Sequence, residues 1–147
     1  MRRALIALFL LLAFAPGCGS GGEKRLSKEE YAKRADAICR RTNRLTRPPG
    51  AVQSMPALAR FADRTLPPLD RAIRDLRALR PPEDEEQTAR AWLRQLSLLR
   101  ADVVRIRNRA RENNARGVRA VALAATARNE RFHELATQLG MHVCNRG

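Results

Sequence analysis

The chain is poor in aromatic residues, which fill 4% of its 147 positions, with one Trp and one Tyr. It has two histidines and three cysteines, and Lys24, Lys28 and Lys33 are its three lysines. Residues favoured in strands are scarce, which argues against a β-rich fold. No Gly-x-Ser-x-Gly occurs, so the strand-to-helix elbow of a serine hydrolase is absent. No Cys-x-x-Cys-His occurs, which excludes c-type haem attachment. Neither Cys39 nor Cys144 has a second Cys or His at zinc-ligand spacing, apart from His142 beside Cys144. The longest apolar run, Ala4 to Ala15, is too short for a bilayer, which takes about 20 residues.

That short run is informative for what surrounds it. Arg2 and Arg3 precede it, and Pro16-Gly17-Cys18 follows. A positive start, a brief apolar stretch and a small-residue exit make a secretory signal peptide over residues 1–17. The two arginines, without the rest of a twin-arginine motif, read as its positive start. Gly17-Cys18, followed by Gly-Ser-Gly-Gly, resembles a bacterial lipoprotein box. The resemblance implies that the Cys18 thiol takes a diacylglycerol and becomes the new N-terminus, although Ala15 stands where the box usually has Leu. Two acyl chains are enough for a stable anchor. The expected location is then the outer face of the cell membrane. Cleavage after Ala13-Phe14-Ala15 is the alternative and gives a secreted protein, but Pro16 would follow the scissile bond, where its fixed φ and missing N–H suit a protease poorly. Residues 18–25 read as a flexible tether and residues 26–147 as one domain.

Export bears on the cysteines. With Cys18 lipidated, Cys39 and Cys144 remain, bracketing nearly the whole domain. Outside the cytoplasm such a pair is expected to be joined, the other reading being two buried, inert thiols.

Ala, Leu and Arg dominate, a helical composition. Ser27 and Glu30 have capping-box spacing. Tyr31, Ala35, Ile38, Thr42 and Leu45 then form one stripe, with Cys39 at its edge, until Pro48-Pro49-Gly50 stops the helix. A second helix is expected from about Pro56 to Leu79, kinked or split at Pro67-Pro68 because an internal proline costs about 3 kcal/mol. Glu83-Asp84-Glu85-Glu86 fits the first turn of a third helix, where carboxylates meet the positive end of the dipole. Trp92, Leu96, Leu99, Val103, Ile106 and Ala110 give that helix a near-heptad seam. Glu112-Asn113-Asn114 marks a turn. A fourth helix carries Val118, Val121, Ala122, Ala125, Phe132, Leu135, Ala136 and Leu139 and ends at Gly140. Short connections favour an all-α, up-down antiparallel four-helix bundle.

Leu26-Ser27-Lys28-Glu29-Glu30-Tyr31 with Ala35-Asp36-Ala37-Ile38-Cys39, then Leu76-Arg77-Ala78-Leu79-Arg80-Pro81-Pro82, then Gly140 followed by Cys144, resembles a group of small exported proteins of high-GC Gram-positive bacteria. The likeness spans most of the mature chain. It implies a fold and a disulfide and no activity.

Three function classes follow. A non-catalytic binding or envelope-interaction module, with no cofactor, fits the sequence best. A metal-dependent bundle enzyme would centre on Glu130 and His133, a Glu-x-x-His pair on one helix face; di-iron bundles need two such motifs, and one occurs here, so a surface His beside a Glu is the plainer reading. An electrostatic adaptor would use the net charge of +14. Arg105, Arg107, Arg109, Arg111, Arg116 and Arg119 cluster about the turn between helices three and four and offer a weak site for anionic lipid or cell-wall polymer. A solvated face is the plainer reading of that cluster, a GC-rich genome also yields arginine, and export makes nucleic acid an unexpected partner. Arg128 and Asn129 interrupt the apolar face of helix four. They face either solvent or a small polar pocket.

Overall fold

The computed structural model describes residues 24–48 and 50–146. Cys18, the signal peptide, tether residues 18–23 and Pro49 lie outside the described residues. Among those described there is no strand, and no helix is long and apolar enough to cross a membrane. Four helices form an up-down bundle: α1 (Lys28–Thr46), α2 (Met55–Ala78), α3 (Glu86–Arg111) and α4 (Ala115–Gln138).

The caps follow the local sequence. The Ser27 hydroxyl accepts from the Glu30 N–H at 3.2 Å. The Glu30 carboxylate turns outward to Arg34, so only half of the expected capping box forms. Asn114 caps α4, its side chain accepting from the Gly117 N–H at 2.7 Å. The α3–α4 turn uses Asn113 in the left-handed region, φ 53°. Gly140 does the same after α4, at φ 75°; its N–H donates to the Thr137 carbonyl and that of Met141 to Ala136.

Two expectations change in detail. The second helix is not split: α2 runs unbroken through Pro67 and Pro68. Buried residues flank the pair on both sides, Ala62 and Leu66 before it and Ala72, Ile73 and Leu76 after it, the last three within the main core. Tertiary packing outweighs the local proline cost. The acidic run also differs. Glu83 to Glu85 form a turn ahead of α3, which starts at Glu86. Lys28 pairs with Glu85, while Arg25 and Arg90 pair with Glu86, each at 2.9 Å. Arg25, placed in the tether by its sequence, is therefore bound to the domain, and the next N–H, Leu26, donates to the Arg80 carbonyl at 2.9 Å.

The core centres on fully buried Trp92, stacked on Phe132 with ring centroids 5.5 Å apart. Tyr31, Leu76, Leu139 and Met141 close around them. Burial pushes the Tyr31 hydroxyl up to about 12. Packing runs in chain order, α1 on α2, α2 on α3 and α3 on α4. α1 and α4 barely meet as helices.

The C-terminal tail joins them instead. Cys144 is bonded to Cys39. One turn below, the buried Asp36 carboxylate accepts from three consecutive backbone N–H groups: His142 and Val143 at 2.8 Å, and Cys144 at 3.0 Å. These donors lie past the last turn of α4, where they have no intrahelical acceptor, and that of Cys144 is buried. The bridge spans 105 residues of sequence, so in the chain-entropy picture it removes much freedom from the unfolded chain. Cys39→Ser and Cys144→Ser should each abolish the mobility difference between reduced and non-reduced samples on a gel. Each should also lower stability to urea by about 2–5 kcal/mol.

Candidate functional site

The missing α1–α4 packing leaves a cleft. Toward the tail the seam is filled by Met141 and the disulfide. Toward the other end it is open. Leu45, expected in the buried stripe of α1, is instead 60% exposed. On α4 no residue before Phe132 is fully buried. Leu123 is exposed, and Val118 and Val121 are half-buried.

The cleft holds about 300 Å³ and draws lining from all four helices. Its inner end is Leu76, Leu96, Phe132 and the Cys39–Cys144 pair. Leu69, Leu99, Val103 and Ile106 form its apolar walls. This explains the partial burial of the α3 seam. Trp92, Leu96 and Ala110 are buried, while Leu99, Val103 and Ile106 face the cleft and are half-buried.

Polar groups in the lining fall into two kinds. Most are already engaged. The Thr42 and Thr46 hydroxyls donate to carbonyls of their own helix at 3.0 Å, and Thr65 does so at 2.9 Å. Asp102, with its side chain 3% exposed, is gripped by Arg128, whose Nε and Nη2 donate to its two oxygens at 2.8 and 2.9 Å. Arg105 adds a further bond to Asp102. Burial opposes ionisation of Asp102, yet the hydrogen bonds from Arg128 and Arg105 outweigh it and hold the carboxyl below its usual range. The second kind is free. The carboxamides of Asn43 on α1 and Asn129 on α4 line the cleft and are exposed, and no hydrogen bond to either occurs among the described residues.

Arg128 and Asn129 thus resolve in different ways. Asn129 lines the cleft, and Arg128 buttresses its wall through Asp102. Asp36 and Asp102 are the residues that sequence reasoning missed. Each is a carboxylate set on an apolar stripe: Asp36 beside Ala35 and Ile38, and Asp102 three residues after Leu99 and four before Ile106. A lone charge at such a position was the available signal.

The other predicted residues lie elsewhere. Glu130 is exposed and His133 half-buried, on a shallow surface shared with Glu134, Thr137 and Gln138. The His133 ring meets Phe132 edge-on at 5.6 Å. Among the described residues no group of three or more His, Cys, Asp or Glu is placed to hold a metal. The predicted arginines do gather at one end of the bundle, but four of the six are engaged with acids: Arg105 with Asp102, Arg107 and Arg111 with Asp63, and Arg109 with Glu112. Arg116 and Arg119 have no acidic partner among the described residues.

No family model, curated protein or solved structure matches this chain.

Removing Arg128 leaves a buried carboxylate with only Arg105 beside it, so Arg128→Ala should lower the urea midpoint of unfolding. Acid should act through the same group. Its folded pKa is depressed, so its contribution is complete above about 3.9, the unfolded value, and is lost as pH falls through the lower folded value. The stability gap between the natural protein and Asp102→Asn should therefore shrink below that pH.

Proposed function

We propose that this protein is a non-catalytic binding module, held at the outer face of the membrane by a lipid on Cys18, and that the α1–α4 cleft is its binding site. The cleft carries this reading. Apolar ligand sites are concave, mostly hydrophobic and carry few polar groups. This one combines Leu and Val walls with two unengaged carboxamides. Its volume is about twice the roughly 150 Å³ of a dry cavity that accepts benzene. An ordinary bundle of this size closes such a space, because unfilled apolar volume is destabilising. Here the α1–α4 edge stays open where the tail does not reach. The signal peptide and the lipoprotein-like Gly17-Cys18 support the location.

Two measurements test the two halves of this reading. Labelled palmitate should enter the natural protein and not Cys18→Ser. The exported, processed protein should bind the neutral fluorophore N-phenyl-1-naphthylamine with a rise in emission. Ala125→Trp, which places an indole in the half-buried lining, should weaken that binding at least about tenfold while the helical circular dichroism is kept. Probe binding untouched by Ala125→Trp would remove the cleft from the function.

A further inference from the structure

We infer that the cleft is built for an uncharged amphiphile, a medium-sized apolar body ending in a hydroxyl or carbonyl head, and that Asn43 and Asn129 bind the head. The inference rests on the cleft being the binding site and adds the chemistry of its ligand.

The charges in the lining decide the class. Among the described lining residues Asp102 is the one ionisable side chain, the two cysteines being bonded to each other. Its oxygens already accept three hydrogen bonds from two guanidinium groups, and neither arginine belongs to the lining. An anionic head drawn into the cleft would lose water beside a carboxylate and find no cation in the wall. A cationic head would find a carboxylate already neutralised. At the rim either charge would give up part of its hydration and find no unengaged counter-charge among the described lining residues, which is unfavourable. An uncharged head avoids that penalty.

The carboxamides supply what such a head needs. Each offers two N–H donors and one carbonyl acceptor, so a hydroxyl or a carbonyl can be served. The threonine hydroxyls are a poorer choice, because their protons are committed to α1 and α2 carbonyls. Asn43 and Asn129 also come from the two helices that flank the open seam. The apolar end of the ligand then points inward to Leu76, Leu96, Phe132 and the disulfide, and its head stays at the exposed rim.

The test is displacement of bound N-phenyl-1-naphthylamine from the exported, disulfide-bonded protein by 1-decanol, decanoate and decylammonium at neutral pH. The expected order puts decanol at least about tenfold ahead of both ions. In the Asn43→Ala/Asn129→Ala double variant, checked for an intact disulfide and helical dichroism, decanol affinity should fall about tenfold. Decanoate or decylammonium displacing the probe as well as decanol would overturn the inference while leaving the cleft as a binding site. Unchanged decanol affinity in the double variant would overturn the role of the carboxamides. A natural protein that binds no probe at all would instead defeat the cleft reading itself.

Discussion

α1 is held to the far side of the bundle by the tail, through one covalent bond and one carboxylate, where most bundles would use helix packing. The Cys39–Cys144 bond fixes the position of the C-terminal tail, and Asp36 fixes its conformation by taking three successive N–H groups. The two act on adjacent turns of α1, so the tail neither slides nor rotates. The four helices pack in chain order through three interfaces. The clasp closes the fourth side of the bundle near the tail. The clasp also sets the depth of the cleft, since the disulfide forms part of its inner end.

The open half of the seam makes polar satisfaction in the wall necessary. A carboxylate as buried as Asp102 is unfavourable unless it is paired and hydrogen-bonded. Arg128 supplies a two-point grip from α4, and Arg105 a third bond from the next turn of α3. The same ion pair joins α3 to α4 alongside the cleft, so it keeps that wall in place while the seam beside it stays unpacked. Other arginines of the same end perform a related task at the surface. Asp63 on α2 receives both Arg107 and Arg111 from α3. Arg41, Arg100, Arg107, Arg111 and Arg128 thus bridge neighbouring helices through Asp75, Asp70, Asp63 and Asp102.

Helix number, order and turns were legible in the sequence because each is signalled locally. Ser27 caps the start of α1, Asn114 caps α4 from the turn marked in the sequence, and Gly140 marks the end of α4. The Cys39–Cys144 pair was expected from the cysteine count with an export-like N-terminus, and from the resemblance to small exported proteins. The cleft was not. Leu45, Leu99 and Val103 satisfy helical periodicity as well as Ile38 and Leu96 do, yet burial separates them. What decides is whether α1 and α4 touch, a long-range fact that no local period encodes. Unbroken α2 shows the reverse case: Pro67-Pro68 is a strong local signal, yet it does not split the helix, which carries buried residues on both sides of it. Asp36 and Asp102 escaped notice for a third reason. Their partners, a tail backbone 106 to 108 residues away and an arginine on another helix, are visible only once the chain is folded.

The division between clasp and opening has an evolutionary corollary. The lining positions nearest the mouth, among them Asn43, Thr46, Ala125 and Asn129, are half-buried or exposed and touch neither the Trp92–Phe132 stack nor the tail clasp through any hydrogen bond or ion pair. If the cleft is the binding site we propose, replacing one of them alters what the mouth recognises without opening a void in the core, and selection can retune the protein toward new molecules at little risk to its folding, as long as Cys39, Cys144 and Asp36 are left alone.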